Sequence, residues 1–285
     1  METDQEFLGL EPTGAPGAYR FRVRNRLARM DRRLYGGTAI AVSMCAAELT
    51  SHRPTRWMTT QFVATAPPEE EISVTVEILA PGRRTNQVRV TGCDPGGSIM
   101  FASLGATGHA KQGGLSGCFE TMPGVAPPED SSVWTTPFDG MAELQDALRQ
   151  LPPREPGIGF TSVTEFRAPT VHSHPDPGPG RLCVWVRRKD RVPMTPALVA
   201  FVADMVPLSI AAATRTIAGG LSLDNSIRIG PFEPTEWVLL DLRPHLADGG
   251  YGHGSVHVWN EEGHLLATAS QTASMFRFDP TAFAS

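Results

Sequence analysis

The chain has 285 residues, with 25 Lys and Arg against 30 Asp and Glu for a net charge of −5. It shows no basic block, which excludes nucleic acid as the main partner. The four scattered cysteines, Cys45, Cys93, Cys118 and Cys183, suit neither a disulfide scaffold nor a zinc knuckle, and reduced thiols in a cytoplasmic protein are expected. At METDQEF acids stand where a secretory leader would carry bases, and Asp204, Pro207 and Ser209 break the longest apolar run, 197–213. Neither secretion nor membrane insertion is expected.

In chain order, a short alternating run (Tyr19–Val23) leads into LYGGTAIAVSMCAAEL (34–49), which reads as a helix. Extended segments follow: WMTTQFVA (57–64), ISVTVEIL (72–79), NQVRVTG (86–92) and SIMFASLGAT (98–107). In ISVTVEIL, Ile72, Val74, Val76 and Ile78 share one face and Ser73, Thr75 and Glu77 the other, the period of an antiparallel strand with one buried face. From about His109 to Gly180 the chain turns rich in proline and glycine, as in PGVAPPEDSS (123–132) and HSHPDPGPG (172–180). Within it, Met141, Leu144, Leu148 and Leu151 fall at helical spacing and predict a short amphipathic helix over 139–151.

The first pattern then starts again. LCVWVRR (182–188) precedes TPALVAFVADMVPLSIAAAT (195–214), and four extended runs follow: LSLDNSIRI (221–229), EWVLLDL (236–242), GSVHVWN (254–260) and HLLATASQTASMFRF (264–278). An offset of 165 sets Trp237 on Ile72, Ala267 on Ala102 and Thr272 on Thr107. So long a period implies duplication of a whole domain. Both helices are apolar on every side, so each must be surrounded. These demands predict an α+β double hotdog: two curved antiparallel sheets, each wrapped around a central helix. The units run over 1–110 and 181–285, joined by a connection over 111–180. Pro207 predicts a kink or early end in the second helix.

With that layout, the sequence resembles the thioesterase II family of acyl-CoA thioesterases. LYGG (34–37) is similar to the family's phenylalanine-glycine-glycine lead-in to the first helix. SLDNSIRIGPFEPTEWVLLDL (222–242) and ASQTASMF (269–276) resemble its later motifs. Departures are Asn225, where a histidine is usual, and Ile227, Arg228, Ile229 and Gly230 where aromatics are usual. The resemblance implies hydrolysis of fatty acyl-CoA, within lipid metabolism, by Asp204, Ser222 and Gln271. It also implies a homodimer or larger assembly and no metal or redox cofactor. The acyl length stays open.

Asp204 carries a physical argument besides. A carboxylate among Ala, Val, Phe and Met is desolvated, which raises its pKa toward a general base's range; the alternative is an Asp on an exposed stripe. The Gln271 amide is expected to donate to that carboxylate while its oxygen orients water, with the Ser222 hydroxyl bridging. A covalent role for Asp204 or Ser222 stays open. Gly36 and Gly37 offer backbone N–H groups for an oxyanion, or only a tight turn. Ala106 occupies the first-half counterpart of Gln271, and no carboxylate lies between Thr38 and Ala47, so one catalytic set per chain is expected.

Other constellations carry less. His245, His253, His257 and His264 lack a metal-ligand pattern. Asp248 and His253 have the spacing of a hotdog hydratase pair but lie between two strands. Ser116 in GLSGC is not a nucleophile elbow. Arg187, Arg188, Lys189 and Arg191 could meet the phosphates of coenzyme A or simply be a solvated strand end. A double hotdog that binds acyl thioesters without cleaving them is the alternative reading, with a hydratase third.

Overall fold

The computed structural model describes residues 2–138, 141–149 and 156–277. Helix α1 (Asp4–Leu8) and strands β1 (Glu11–Pro12) and β2 (Ala18–Arg22) precede the long helix α2 (Gly36–Ser51). Then come β3 (Thr55–Phe62), β4 (Glu71–Ala80), β5 (Thr85–Cys93) and β6 (Ile99–Gly108). The connection holds β7 (Gly124–Val125), β8 (Ser132–Val133), α3 (Gln145–Leu148), β9 (Thr164–Ala168) and β10 (Val171–Ser173). The second half contains β11 (Leu182–Arg188), α4 (Pro196–Val202), α5 (Val206–Ala213), β12 (Ala218–Ile229), β13 (Val238–Asp248), β14 (Tyr251–Trp259) and β15 (Leu265–Arg277).

Among the described residues, thirteen strands form one antiparallel sheet in the order β1-β2-β4-β5-β6-β3-β12-β15-β14-β13-β11-β9-β8. The duplication is visible in it. Read inward, β2-β4-β5-β6-β3 and β11-β13-β14-β15-β12 are the same arrangement. The two sheets expected from the repeat are therefore halves of one, because the innermost strands β3 and β12 pair with each other, Thr60 opposite Asn225 and Thr59 opposite Ser226. A hydroxyl pair, Thr59 Oγ1 and Ser226 Oγ at 2.7 Å, crosses that seam.

The helices are enclosed as their composition requires. Every residue of α2 from Gly37 to Ala47 is buried, packed on β3 to β6 and on α4, while α5 lies on β12 to β15. In β4 the alternation holds for Ile72, Val74 and Val76; Ile78, at 39% exposure, lies beyond the buried part.

The second helix is broken, as Pro207 predicts, and the place of the break shapes the site. A proline lacks the N–H and clashes with the carbonyl four residues back, which for Pro207 is Ala203. The helix accordingly stops at Val202, turns through 203–205 and restarts at Val206 with Pro207 in its first turn. Asp204 lies in that turn, not inside a helix. The stretch Pro196–Ala213 is long and apolar enough to cross a membrane by composition, but 78% of it is buried in the protein core.

The connection is not a free linker. Met122 and Val125 cover Cys183, Trp185, Trp237, Leu239 and Trp259, and Trp185 Nε1 donates to the Ala126 carbonyl at 2.9 Å. The helix expected over 139–151 is reduced to a 3₁₀ turn (Ala142–Leu144) and α3. That 3₁₀ turn buries none of its residues; Asp139, Gly140, Gln150 and Leu151 lie outside the described residues.

Candidate active site

Tyr35, the residue before α2, gives that helix no side-chain cap. The first N–H groups of a helix then need another acceptor, and the positive end of its dipole favours an anion. Asp204 supplies it. The turn before α5 delivers its carboxylate to the start of α2, where the Gly37 N–H favours its charged form and a Cβ on Gly36 would overlap Oδ2. The Tyr35 hydroxyl donates to the Asp204 backbone carbonyl at 3.3 Å and holds the turn in place.

Two strands bring the partners. On β15, Gln271 faces inward between Ala269 and Ala273, small residues that leave room for its side chain. Its Nε2 donates to Asp204 Oδ1 at 2.6 Å and to Ser222 Oγ at 2.7 Å, and its Oε1 accepts the Val206 N–H at 3.1 Å. These bonds assign the two ends of the amide. On β12, a register shift between Ser222 and Asp224 interrupts the alternation. The bulge turns Ser222 and Asn225, three residues apart, toward the same carboxylate. Ser222 Oγ and Asn225 Nδ2 each donate to Asp204 Oδ1 at 3.4 Å, whereas Asp224 accepts the Thr272 N–H at 2.9 Å.

The structure thus brings Asp204, Ser222, Gln271, Gly36 and Gly37 together, and adds two details. The Gln271 oxygen, expected at a water, accepts the Val206 N–H with one of its two lone pairs. The Gly37 N–H, expected at an oxyanion, favours the charge on the Asp204 carboxylate. Asn225 was noticed in the sequence only as a departure from a motif, yet it is a full member of the cluster. Asp204 is 7% exposed. Burial pushes its carboxyl up to about 7, against the opposing pull of Asn225, Ser222, the Gly37 N–H and the Arg29 charge. In the first half Ala106 sits across from Trp57 in the sheet and offers no amide.

The sequence pattern of the acyl-CoA thioesterase C-terminal domain matches residues 128–275, more than half the chain, and that of the N-terminal domain matches residues 24–108. The chain belongs to the acyl-CoA thioesterase family. A thioesterase candidate from Novosphingobium aromaticivorans is 29% identical over 93% of this chain and 97% of its own, with a TM-score of 0.79. Two others share the fold. An acyl-CoA thioesterase II from Mycobacterium marinum has a TM-score of 0.71 at 20% identity, covering 97% of this chain and 99% of its own. A protein of unknown function with a hot dog fold from Alicyclobacillus acidocaldarius has a TM-score of 0.78 at 17% identity, covering 97% and 98%. No curated protein matches the sequence.

The remaining constellations of this thioesterase-family chain are engaged elsewhere. Arg187 pairs with Glu165 and Glu236 and stacks on Trp237. Arg188 pairs with Glu2 and Asp190 over the Phe7 ring, and Lys189 Nζ donates to the carbonyls of Thr161 and Ser162. These bonds occupy three of the four cationic side chains considered for coenzyme A phosphates.

A cleft of about 300 Å³ opens at the C-terminal end of α5, between Ile210, Tyr251 and Met275. Asp248 lines it but His253 does not; His253 Nδ1 lies 3.1 Å from the Gln271 backbone carbonyl. The hydratase pair is not formed.

Among the described residues, His174, Cys183 and Asp241 are the one group of metal-ligand types whose atoms converge, within 4.8 Å. His174 Nδ1 accepts the Asp176 N–H at 3.0 Å, so Nε2 carries the proton and donates it to Asp241 Oδ1 at 2.7 Å. The nitrogen that would hold a metal is thus a donor, and Arg243 occupies Asp241 Oδ2 at 2.7 Å. The cluster fits a hydrogen-bonded anchor for the connection better than a metal seat.

Proposed function

We propose that the chain hydrolyses the thioester of a fatty acyl-CoA to free acid and coenzyme A on a double-hotdog scaffold, in the cytoplasm and as a homodimer or larger assembly. Asp204 is the general base, held by Gln271 and Ser222. One observation carries this reading: a buried carboxylate with its pKa near 7, seated on the uncapped start of α2 and bonded by side chains 18 and 67 residues away. A protein that only binds thioesters has no need of an ionisable group kept out of water beside fixed donors. Preorganised dipoles in such a place act on charge as it develops. Asp204 takes a proton as water attacks the thioester carbonyl, and the first turn of α2 around Gly36 keeps that carboxylate in its place.

The test is release of free thiol from a panel of acyl-CoAs of increasing chain length. Turnover on none of them would leave a binding module. The pH profile adds a second check. The base must be ionised to accept a proton, so kcat/KM should rise with pH, reach half its maximum near pH 7 and level off above. A rate that falls as pH rises through that point would require the protonated acid instead.

A further inference from the structure

An attacking water has two protons to place, and the cluster as described receives only one. Gln271 commits both amide hydrogens to Asp204 and Ser222 and one lone pair of its oxygen to Val206. Ser222 Oγ accepts from Gln271 and donates to Asp204. Asn225 differs. It is completely buried on β12, with Gln271 of β15 on one side in the sheet and Thr60 of β3 on the other. Its Nδ2 faces the Asp204 carboxylate, which fixes the orientation of the amide. Its Oδ1 is buried and, among the described residues, has no hydrogen-bond partner. Thr60 turns its hydroxyl to Ser103 at 2.8 Å, and Ser103 pairs in turn with Ser43 at 2.9 Å. A buried acceptor left unpaired costs about 1–3 kcal/mol. A fold that keeps one beside its base calls for a reason.

Resting on the hydrolase reading above, we infer that Asn225 Oδ1 is the second acceptor for the nucleophilic water. One water proton points to Asp204 and the other to Asn225 Oδ1, which aims a lone pair at the carbonyl carbon. The oxygen–carbon bond forms as Asp204 takes the first proton. The carbon–sulfur bond breaks as the tetrahedral intermediate collapses, and Asp204 returns that proton to the departing sulfur. The second proton leaves on the carboxylic acid product. Asn225 Oδ1 is sealed from bulk solvent, so water reaches it only as the substrate opens the site.

The experiment compares Asn225→Leu, close in shape but without polar atoms, with Asn225→Asp, which keeps an oxygen acceptor. Each is assayed for kcat and KM from pH 5 to 9 and for thermal melting. Asn225→Leu should lose about 100-fold in kcat on the pH plateau, the cost of a misaimed reactant, with KM held within about threefold and melting little changed. Asn225→Asp should recover the plateau to within about tenfold, with its acid limb displaced upward because two carboxylates then share the site. A Leu variant that keeps the plateau and moves only the acid limb overturns the inference, since Asn225 would then act through the charge on Asp204 alone. So does equal loss in both variants with lowered melting temperatures, which marks a structural residue. Asp204→Asn is run alongside. If it still turns over, the base assignment fails; if it is dead while Asn225→Leu is active, only this inference falls.

Discussion

Asp204→Asn should lower kcat by about 10³- to 10⁴-fold, the upper range for losing a general base, and at pH 8 should melt several degrees higher than the natural chain. The two effects share a cause. Asparagine keeps an oxygen to accept from Gln271, Ser222 and Asn225, but it cannot take a proton and carries no charge that burial penalises. The pH dependence follows from the direction of the shift. The folded carboxyl holds its proton up to about pH 7, whereas the unfolded one releases it near 3.8. Between those values the native state binds more protons, so this group's contribution to stability falls as pH rises and is fully lost above about 7. At 1.36 kcal/mol per pKa unit the loss is roughly 4 kcal/mol. Melting curves of the two proteins should nearly coincide at pH 4 and separate steadily up to pH 8. Parallel curves across that range would mean that the carboxylate is solvated, and the case for a desolvated base would go with it.

What the sequence reveals and what it hides divide along physical lines. Hydrophobic period and repeat are properties of many residues at once. The alternation in β4, the all-round burial of α2 and the matching order of the two halves were therefore legible. So was the convergence of Asp204, Ser222 and Gln271, through their places in recognisable motifs. Single-residue geometry was not. A strict period of two from Ser222 would turn Asp224 inward, but the bulge sends Asp224 to the Thr272 N–H and presents Asn225 instead. The effect of Pro207 was foreseen, while its location was not, because the clash falls on Ala203 and places the break around Asp204. The seam between β3 and β12 depends on how two finished halves meet, which no local pattern records. Likewise, His174 and Asp241, 67 residues apart, belong to unrelated stretches of chain until the connection folds over the sheet.

The adjacent glycines at the start of α2 should separate catalysis from folding when each is changed to alanine. Neither has a left-handed backbone, so the argument is one of space. A Cβ at Gly37 would overlap the Phe201 carbonyl oxygen and press on the Tyr35 ring. Both obstacles are rigid, one being backbone of the packed helix α4, so α2 and α4 must move apart. Overpacking of this kind costs about 1–3 kcal/mol and occasionally more, which in a chain of this size lowers Tm by roughly 2–12 °C. At Gly36 the obstacle is Asp204 Oδ2 itself, with Phe62 Cζ at 3.0 Å behind it. A side chain can swing where backbone cannot. Gly36→Ala should therefore stay folded, helped by alanine's helix propensity of about 1 kcal/mol over glycine. Its carboxylate, displaced from Gln271, Ser222 and the Gly37 N–H, should lose about 100-fold in kcat. Steady-state thiol release and melting curves on both variants decide the matter. If Gly36→Ala turns over like the natural chain, the carboxylate does not need its place at the start of α2, and the electrostatic role assigned to that helix end is wrong.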